Sequence, residues 1–280
     1  MRIGIIGSTG FIGKSIYAFL KSNTNFKVTK FASFYKYKNK WIDKIIKEIN
    51  LNKPEVIINC SAYTKLNNEK NYLKKLINTN IYSNIIFLNE AVKNNNFKSY
   101  ISFGTKWELG NTKNKVPLNL YAASKKANDS FYEFYSNNQN SIISLKLFDT
   151  YGANDNRDKL MNSLIENYKN DKTLNMTEGK QYLDYVNIKD ICLLISKILK
   201  DVKFSKIRGF HSYTVSSKRP IKLVNFVKLL NKILKKKVKI RMKKKYRKNE
   251  TFYPTKNYNN YPNWDLKCNF EEELKKLFDK

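Results

Sequence analysis

Gly7-Ser8-Thr9-Gly10-Phe11-Ile12-Gly13 follows directly on the apolar run Ile3-Gly4-Ile5-Ile6 and opens a segment of helical spacing. Glycines spaced G-x-x-G-x-x-G at a strand-to-helix turn allow a tight bend and a close approach of backbone N–H groups to a pyrophosphate. The helix N-terminus adds partial positive charge at the same point. The spacing departs from the G-x-G-x-x-G dehydrogenase fingerprint, so it indicates a nucleotide-binding α/β fold without fixing a reaction. Gly7, Thr9, Gly10, Phe11, Ile12 and Gly13 are the residues expected to line that ligand.

Outward from this turn, short apolar runs alternate with amphipathic stretches. Strands are predicted over 2–6, 26–31, 55–59, 99–103 and 141–148, with helices over 11–21, 41–49 and 120–136 and one or two helices over 72–95. Such alternation is the pattern of βαβ units feeding a parallel sheet. Beyond about residue 150 the rhythm loosens. Helices over 159–169, 188–199, 223–234 and 270–278 surround strands near 182–186 and 209–215, and Lys235 to Lys248 reads as a half-buried strand carrying Val238, Ile240 and Met242. The expected architecture is an α/β Rossmann-type doubly wound parallel sheet over residues 1–150. A smaller substrate lobe is expected over 151–280, the two interleaving.

Composition excludes more than it selects. Fifty-four Lys+Arg against 23 Asp+Glu leave a formal net charge of +31, yet only six of the cations are arginine. The lysines run along the whole chain instead of forming an arm, and nucleic-acid grooves favour arginine interleaved with stacking aromatics. The charge is therefore read as compositional bias that speeds capture of phosphate-bearing small ligands, and a basic RNA-binding protein is kept only as a rival. A hydrophobic fraction of 41% supplies a core. No apolar run reaches the length of a membrane span, and the first residues lack the apolar region of a signal peptide. Cys60, Cys192 and Cys268 are odd in number, far apart and in no metal-ligand spacing, which points to a reduced, cytoplasmic protein without a metal site. A single histidine, His211, removes most imidazole chemistry.

Two further signals bear on chemistry. An acid about 20 residues beyond the glycine loop would bind the ribose 2′-OH of NAD. The stretch Lys30-Phe31-Ala32-Ser33-Phe34-Tyr35-Lys36 holds none, whereas Ser33 with Lys36 suits a 2′-phosphate. NADP(H) is preferred on that ground, with NAD(H) as the alternative. The second signal is Tyr121-Ala122-Ala123-Ser124-Lys125. Residues four apart share a helix face, so the Lys125 ammonium is expected beside the Tyr121 ring, lowering its pKa and making it a proton donor for an alcohol–ketone interconversion. Sixteen residues upstream, Ser102-Phe103-Gly104-Thr105 closes a predicted strand with hydroxyls that could bond the same substrate oxygen.

In order, these pieces resemble the extended short-chain dehydrogenase/reductases, the NAD-dependent epimerase/dehydratase family acting on nucleotide sugars. Val56-Ile57-Ile58-Asn59-Cys60-Ser61-Ala62 is similar to the family's cofactor-lining strand segment, and Asn80 stands where the family carries a helix asparagine. Leu147-Phe148-Asp149-Thr150-Tyr151-Gly152-Ala153, Gln181 to Asp190, and Trp264 with Phe270-Glu271-Glu272-Glu273-Leu274 continue the resemblance almost to the end. It implies Cys60, Ser61, Ala62 and Asn80 at the cofactor, Thr105 as catalytic hydroxyl with Ser102 as second choice, Tyr121 as acid/base, and Lys125 as its modulator and ribose ligand. Arg157, Lys159, Arg219 and Arg247 become candidates for a diphosphate clamp, and Trp107 for the sugar pocket.

The departures from the family pattern narrow the reaction. Lys106-Trp107 replaces the acidic pair of the 4,6-dehydratases, Lys146 and Leu183 replace arginines, and the interval from Thr105 to Tyr121 is short. The chain is most similar to the abequose/paratose synthase type, which reduces the C4 ketone of a nucleotide-diphosphate deoxysugar. A 4-epimerase is the alternative. The resemblance also implies a homodimer through helices near residues 80–93 and 120–136. A non-catalytic dinucleotide-binding regulator is a further rival, disfavoured because Tyr121 and Lys125 are both present.

Overall fold

The computed structural model describes residues 1–34, 40–64, 70–110, 116–243, 245–246, 250–255 and 258–279. The first half runs β1 (Arg2–Ile6), α1 (Phe11–Asn23), β2 (Lys27–Lys30), α2 (Trp41–Asn52), β3 (Val56–Asn59), α3 (Lys70–Ile77), α4 (Ser83–Ala91), β4 (Ser99–Thr105), α5 (Leu120–Lys126), α6 (Asn128–Tyr135) and β5 (Ser141–Leu147). The second runs β6 (Asp149–Tyr151), α7 (Leu160–Lys169), β7 (Leu174–Met176), β8 (Tyr182–Leu183), β9 (Tyr185–Asn187), α8 (Ile188–Lys203), β10 (Gly209–Val215), β11 (Ile221–Lys222), α9 (Leu223–Ile233), β12 (Ile240–Met242) and α10 (Phe270–Phe278). No helix among the described residues is long and apolar enough to cross a membrane.

Six strands form one parallel sheet in the order β10-β5-β4-β3-β1-β2. Every residue of β3 and β5 is buried, as expected of parallel strands covered on both faces. Their side chains alternate between two layers. Ile3, Ile5, Val56, Ile58, Ile143 and Leu145 pack with α1 and α8 through Ile16, Leu20, Ile191 and Ile195. Ile6, Ile57, Tyr100 and Ile142 pack on the other face with Ile45, Phe87, Leu88 and Tyr132. A third cluster gathers C-terminal residues, among them Tyr151, Tyr185, Phe226, Leu230, Leu274 and Phe278. The outermost strand, β10, comes from the C-terminal half, so the main sheet draws on both halves of the chain.

Two local expectations are corrected. The predicted strand 182–186 is split at Asp184, whose buried carboxylate accepts the Ser217 N–H at 2.7 Å. On either side of that break, β8 pairs antiparallel with β11 and β9 pairs parallel with β6. The lysine-rich strand shrinks to Ile240–Met242, because its partner β7 offers only three residues. Val238 is buried but Met242 is exposed. Of the one or two helices expected over 72–95, two form, α3 and α4, separated by a π-helical turn, Asn78–Tyr82. Such turns are rare and cluster at functional sites.

Beneath that turn lies a buried amide network. The Asn59 Nδ2 donates to Asn84 Oδ1 and to the Tyr100 hydroxyl, both at 2.8 Å. Asn84 Nδ2 donates to Asn128 Oδ1 at 2.7 Å and to the Tyr132 hydroxyl at 2.5 Å. Asn128 Nδ2 in turn reaches the Asn80 and Ser124 carbonyls at 3.0 and 2.9 Å. Asn84 bonds Asn59, Tyr100, Asn128 and Tyr132 at the centre of this network, and leaving a buried partner unsatisfied costs about 1–3 kcal/mol. Replacing Asn84 with Leu is expected to cost about 2–4 kcal/mol of stability. The check is a urea unfolding curve with a lower midpoint and an unchanged slope.

Candidate active site

Gly7, Cys60 and the Thr105–Lys106 turn follow the carboxyl ends of β1, β3 and β4, which lie side by side. Sheet order reverses between β1 and β3, the point where doubly wound folds open a ligand crevice. Gly7 has φ +73°, and a Cβ there would stand 2.7 Å from both the Cys60 carbonyl carbon and the Ser61 nitrogen. A Cβ on Gly13 would collide with the Gly7 oxygen. These glycines let the loop fold down onto the end of β3. Gly10 caps α1 without a side-chain hydrogen bond, so the first-turn N–H groups keep their donor capacity. A side-chain-free cradle at an uncapped helix N-terminus fits the pyrophosphate of a dinucleotide.

The rest of the predicted cofactor set distributes as follows. Thr9 is exposed and Ile12 half-buried on the loop, while Phe11 is buried beneath the Arg157 guanidinium, 4.5 Å from its ring. Ser33 is half-buried just past β2; Lys36 lies outside the described residues. One carboxylate does reach this end of β2: Glu48, on α2, accepts the Ala32 N–H at 2.6 Å. Ser61 is pinned by Asn59, whose Oδ1 accepts its N–H at 3.0 Å and its hydroxyl at 2.6 Å. Ala62 is exposed, and burial pushes the Cys60 thiol far up. Asn80 is buried with its amide turned onto protein: Oδ1 accepts the Tyr63 N–H at 2.8 Å, and Nδ2 donates to Tyr63 O and Ser124 Oγ at 3.0 Å. In this structure it fixes the segment after β3 to α5.

Thr105 ends β4 and caps the 3₁₀ turn Lys106–Leu109, its hydroxyl accepting the Trp107 N–H at 3.4 Å. That bond leaves the hydroxyl proton to be donated. Ser102, the second choice, is buried three residues earlier on β4, on the opposite face, and bonds Tyr132. Asn119 caps α5 through the Ala122 N–H at 2.8 Å and so presents Tyr121 and Lys125 to the cleft. The Trp107 ring meets Tyr121 edge-on, with centroids 6.4 Å apart. The Lys125 Nζ donates to the Ser61 carbonyl at 3.5 Å. Burial lowers its ammonium to about 8, against the pull of Glu108.

Tyr121 differs from the expectation of an acidified phenol. Burial raises its pKa, Glu108 raises it further, and the opposing cation is Arg157, not Lys125. The cause is geometric, since the Lys125 amine is directed at the β3 segment.

Of the four expected clamp residues, two meet at this mouth. Arg157 is paired with Asp155, Nε to Oδ1 at 2.7 Å and Nη2 to Oδ2 at 2.7 Å, and also bonds Thr150. Lys159 sits 6.0 Å from the Trp107 ring. Arg219 is exposed on the loop between β10 and β11, its N–H bonded to Ser217 Oγ. Arg247 lies outside the described residues.

A sequence profile of the NAD dependent epimerase/dehydratase family matches residues 3–210. The chain belongs to this family. Members of the family are dinucleotide-dependent enzymes, and the glycine cradle and the Tyr121–Lys125 helix fall within the matched residues. CDP-abequose synthase of Yersinia pseudotuberculosis is 26% identical over 210 residues, 68% of this chain and 70% of that protein. In three dimensions the chain is similar to UDP-glucuronic acid 4-epimerase from Bacillus cereus, solved with UDP-glucuronic acid and NAD. The TM-score is 0.81 at 18% identity, over 100% of this chain and 98% of that one. It is also similar to RMD from Pseudomonas aeruginosa, complexed with NADPH, with a TM-score of 0.78 at 15% identity over 100% and 99% of the two chains.

Sequence reasoning missed Asn59, Asn84, Asn128, Glu108, Asp129 and Lys106, which hold the site from below. The available signal was polar residues at inward-facing i, i+4 positions, Asn80 with Asn84 and Ser124 with Asn128, lost in an asparagine-rich chain. A direct test of the site's electrostatics is amine acylation followed by peptide mapping across a pH series. Lys125 is expected to titrate near pH 8, about two units below surface lysines. A midpoint with the bulk lysines would contradict the buried position.

Proposed function

We propose that this protein reduces the C4 ketone of a nucleotide-diphosphate deoxysugar, using NADP(H) in preference to NAD(H), as a cytoplasmic enzyme of deoxysugar biosynthesis. The observation that carries the reading is that Trp107, bonded to Thr105, meets Tyr121 edge-on, while Lys125 on the same helix reaches Ser61 beside the glycine cradle. Residues 1–150 form the dinucleotide-binding part in this reading, and residues 151–280 mainly the substrate lobe. The bound dinucleotide supplies the hydride. Thr105 donates a hydrogen bond to the C4 oxygen and Tyr121 protonates it as negative charge develops. A phenol raised by burial is well suited to remain protonated until that moment. Lys125 and the Ser61 carbonyl hold the adjoining ribose, and Trp107 walls the sugar pocket. Arg157 and Lys159 draw the diphosphate to the mouth.

The similarity to CDP-abequose synthase supports reduction. The fold's likeness to a UDP-glucuronic acid 4-epimerase keeps epimerisation as the second reading. Replacing Tyr121 with Phe is expected to lower kcat for NADPH-dependent reduction of 4-keto nucleotide sugars by about 10²–10⁴ while cofactor affinity is kept. Stopped-flow absorbance of NADPH consumption reads this, and an unchanged kcat would refute the assignment.

A homodimer is part of the same reading. Leu73, Ile77 and Tyr82 on the α3–π segment, and Phe131 and Phe134 on α6, are exposed large apolar side chains. Sedimentation equilibrium is expected to give twice the chain mass, falling to one on the double change Phe131→Lys and Phe134→Lys. A native protein that sediments as a monomer would contradict it.

A further inference from the structure

Glu108 is buried, with a side chain shut off from solvent, directly beneath the proposed site. Its Oε1 accepts the Thr105 N–H at 2.6 Å. Its Oε2 lies 3.2 Å from the Lys146 Nζ, which also pairs with Asp129 Oδ2 at 3.0 Å. Room for this carboxylate comes from Gly104, where a Cβ would strike Glu108 Oε1 and stand 3.1 Å from its Cδ. Four elements therefore converge on one carboxylate: β4 through Gly104 and Thr105, the 3₁₀ turn that carries it, β5 through Lys146, and α6 through Asp129. A buried carboxylate is expensive unless paired and hydrogen-bonded. Packing alone would be served by an apolar side chain.

We propose that Glu108 is a positioning residue, holding Thr105 at the cleft and placing a buried negative charge beneath the Tyr121–Lys125 pair. The inference rests on the reading of Thr105, Tyr121 and Lys125 given above. The groups that face Glu108 are Lys146 on β5, Asp129 and Tyr132 on α6, and Tyr121 and Lys125 on α5. Burial raises the Glu108 pKa, and Lys146 with the Thr105 N–H pulls against that rise. Burial pulls the Lys146 ammonium down, but Glu108 and Asp129 outweigh that and hold it above the usual value. Glu108 favours the protonated forms of both Tyr121 and Lys125, against Arg157 at the first and against burial at the second. For a proton donor in reduction, that extends the active range towards high pH.

The test separates charge from geometry. Glu108→Gln keeps an acceptor for the Thr105 N–H and removes the charge. The pH midpoint for acylation of Lys125 is expected to fall by about one unit, the scale of one buried charge several ångströms away. The basic limb of the reduction profile is expected to fall with it. Glu108→Asp keeps the charge but shortens the reach, so the Lys125 midpoint should hold while kcat drops through Thr105. Asp129→Asn, which removes a charge on the far side of Lys146, should leave Lys125 within a few tenths of a unit. An unmoved Lys125 midpoint in Glu108→Gln would overturn the inference, as would an equal shift in Asp129→Asn. Acylation needs no substrate, so it reads the inference separately. Loss of reductase activity in the native protein with this shift intact would instead refute the proposed function.

Discussion

The side-chain amide of Asn59, at the carboxyl end of β3, ties the fold to the site. Its oxygen holds Ser61, and its nitrogen holds Asn84 and Tyr100. Ser61 offers its carbonyl to Lys125, while Asn84 reaches α6 through Asn128 and Tyr132. One buried amide thus links the carboxyl end of β3 to Lys125 on α5 through Ser61 and to α6 through Asn84. Because its members are buried and share partners, the network resists small displacements and supports a single arrangement.

Above this frame, the absence of side chains matters as much as their presence. Gly7 and Gly13 bring the first loop against the backbone of Cys60 and Ser61, and Gly104 opens the space that Glu108 occupies. Charge then completes the cleft. Arg157 is held by Asp155 over Phe11 at one side, and Glu108 is held by Lys146 beneath the other. Tyr121 stands between a cation and an anion of the protein's own. Its proton affinity reflects burial and those two groups before any ligand contributes.

The doubly wound sheet was legible because its core strands are short segments rich in apolar residues, as in Val56–Asn59 and Ser141–Leu147, set between helical stretches. Helix α10 and strand β10 matched their predicted limits for the same reason, a clear period bounded by caps and turns. Legibility failed where pairing partners set the outcome. The strand at Tyr182 broke because Asp184 bonds a residue 33 positions away, and β12 was cut to the length of β7. In the candidate site, Thr105, Tyr121 and Lys125 could be nominated because their order and spacing are local. The Glu108–Lys146–Asp129 cluster could not, since its members are brought together only by the fold. Likewise the carboxylate near the end of β2 comes from Glu48, later in the chain than any ribose acid would be sought.

In the proposed function the glycine cradle serves an exchanging NADP(H) cofactor. The most direct measurement releases whatever the purified protein carries under denaturing conditions, then titrates the native protein with NADPH and NADH by fluorescence. The account predicts protein without bound dinucleotide that binds NADPH reversibly and more tightly than NADH. Tightly held NAD recovered in near-equal amount to protein would contradict the reductase in favour of the epimerase, and failure to bind either dinucleotide would contradict the reading at its first motif.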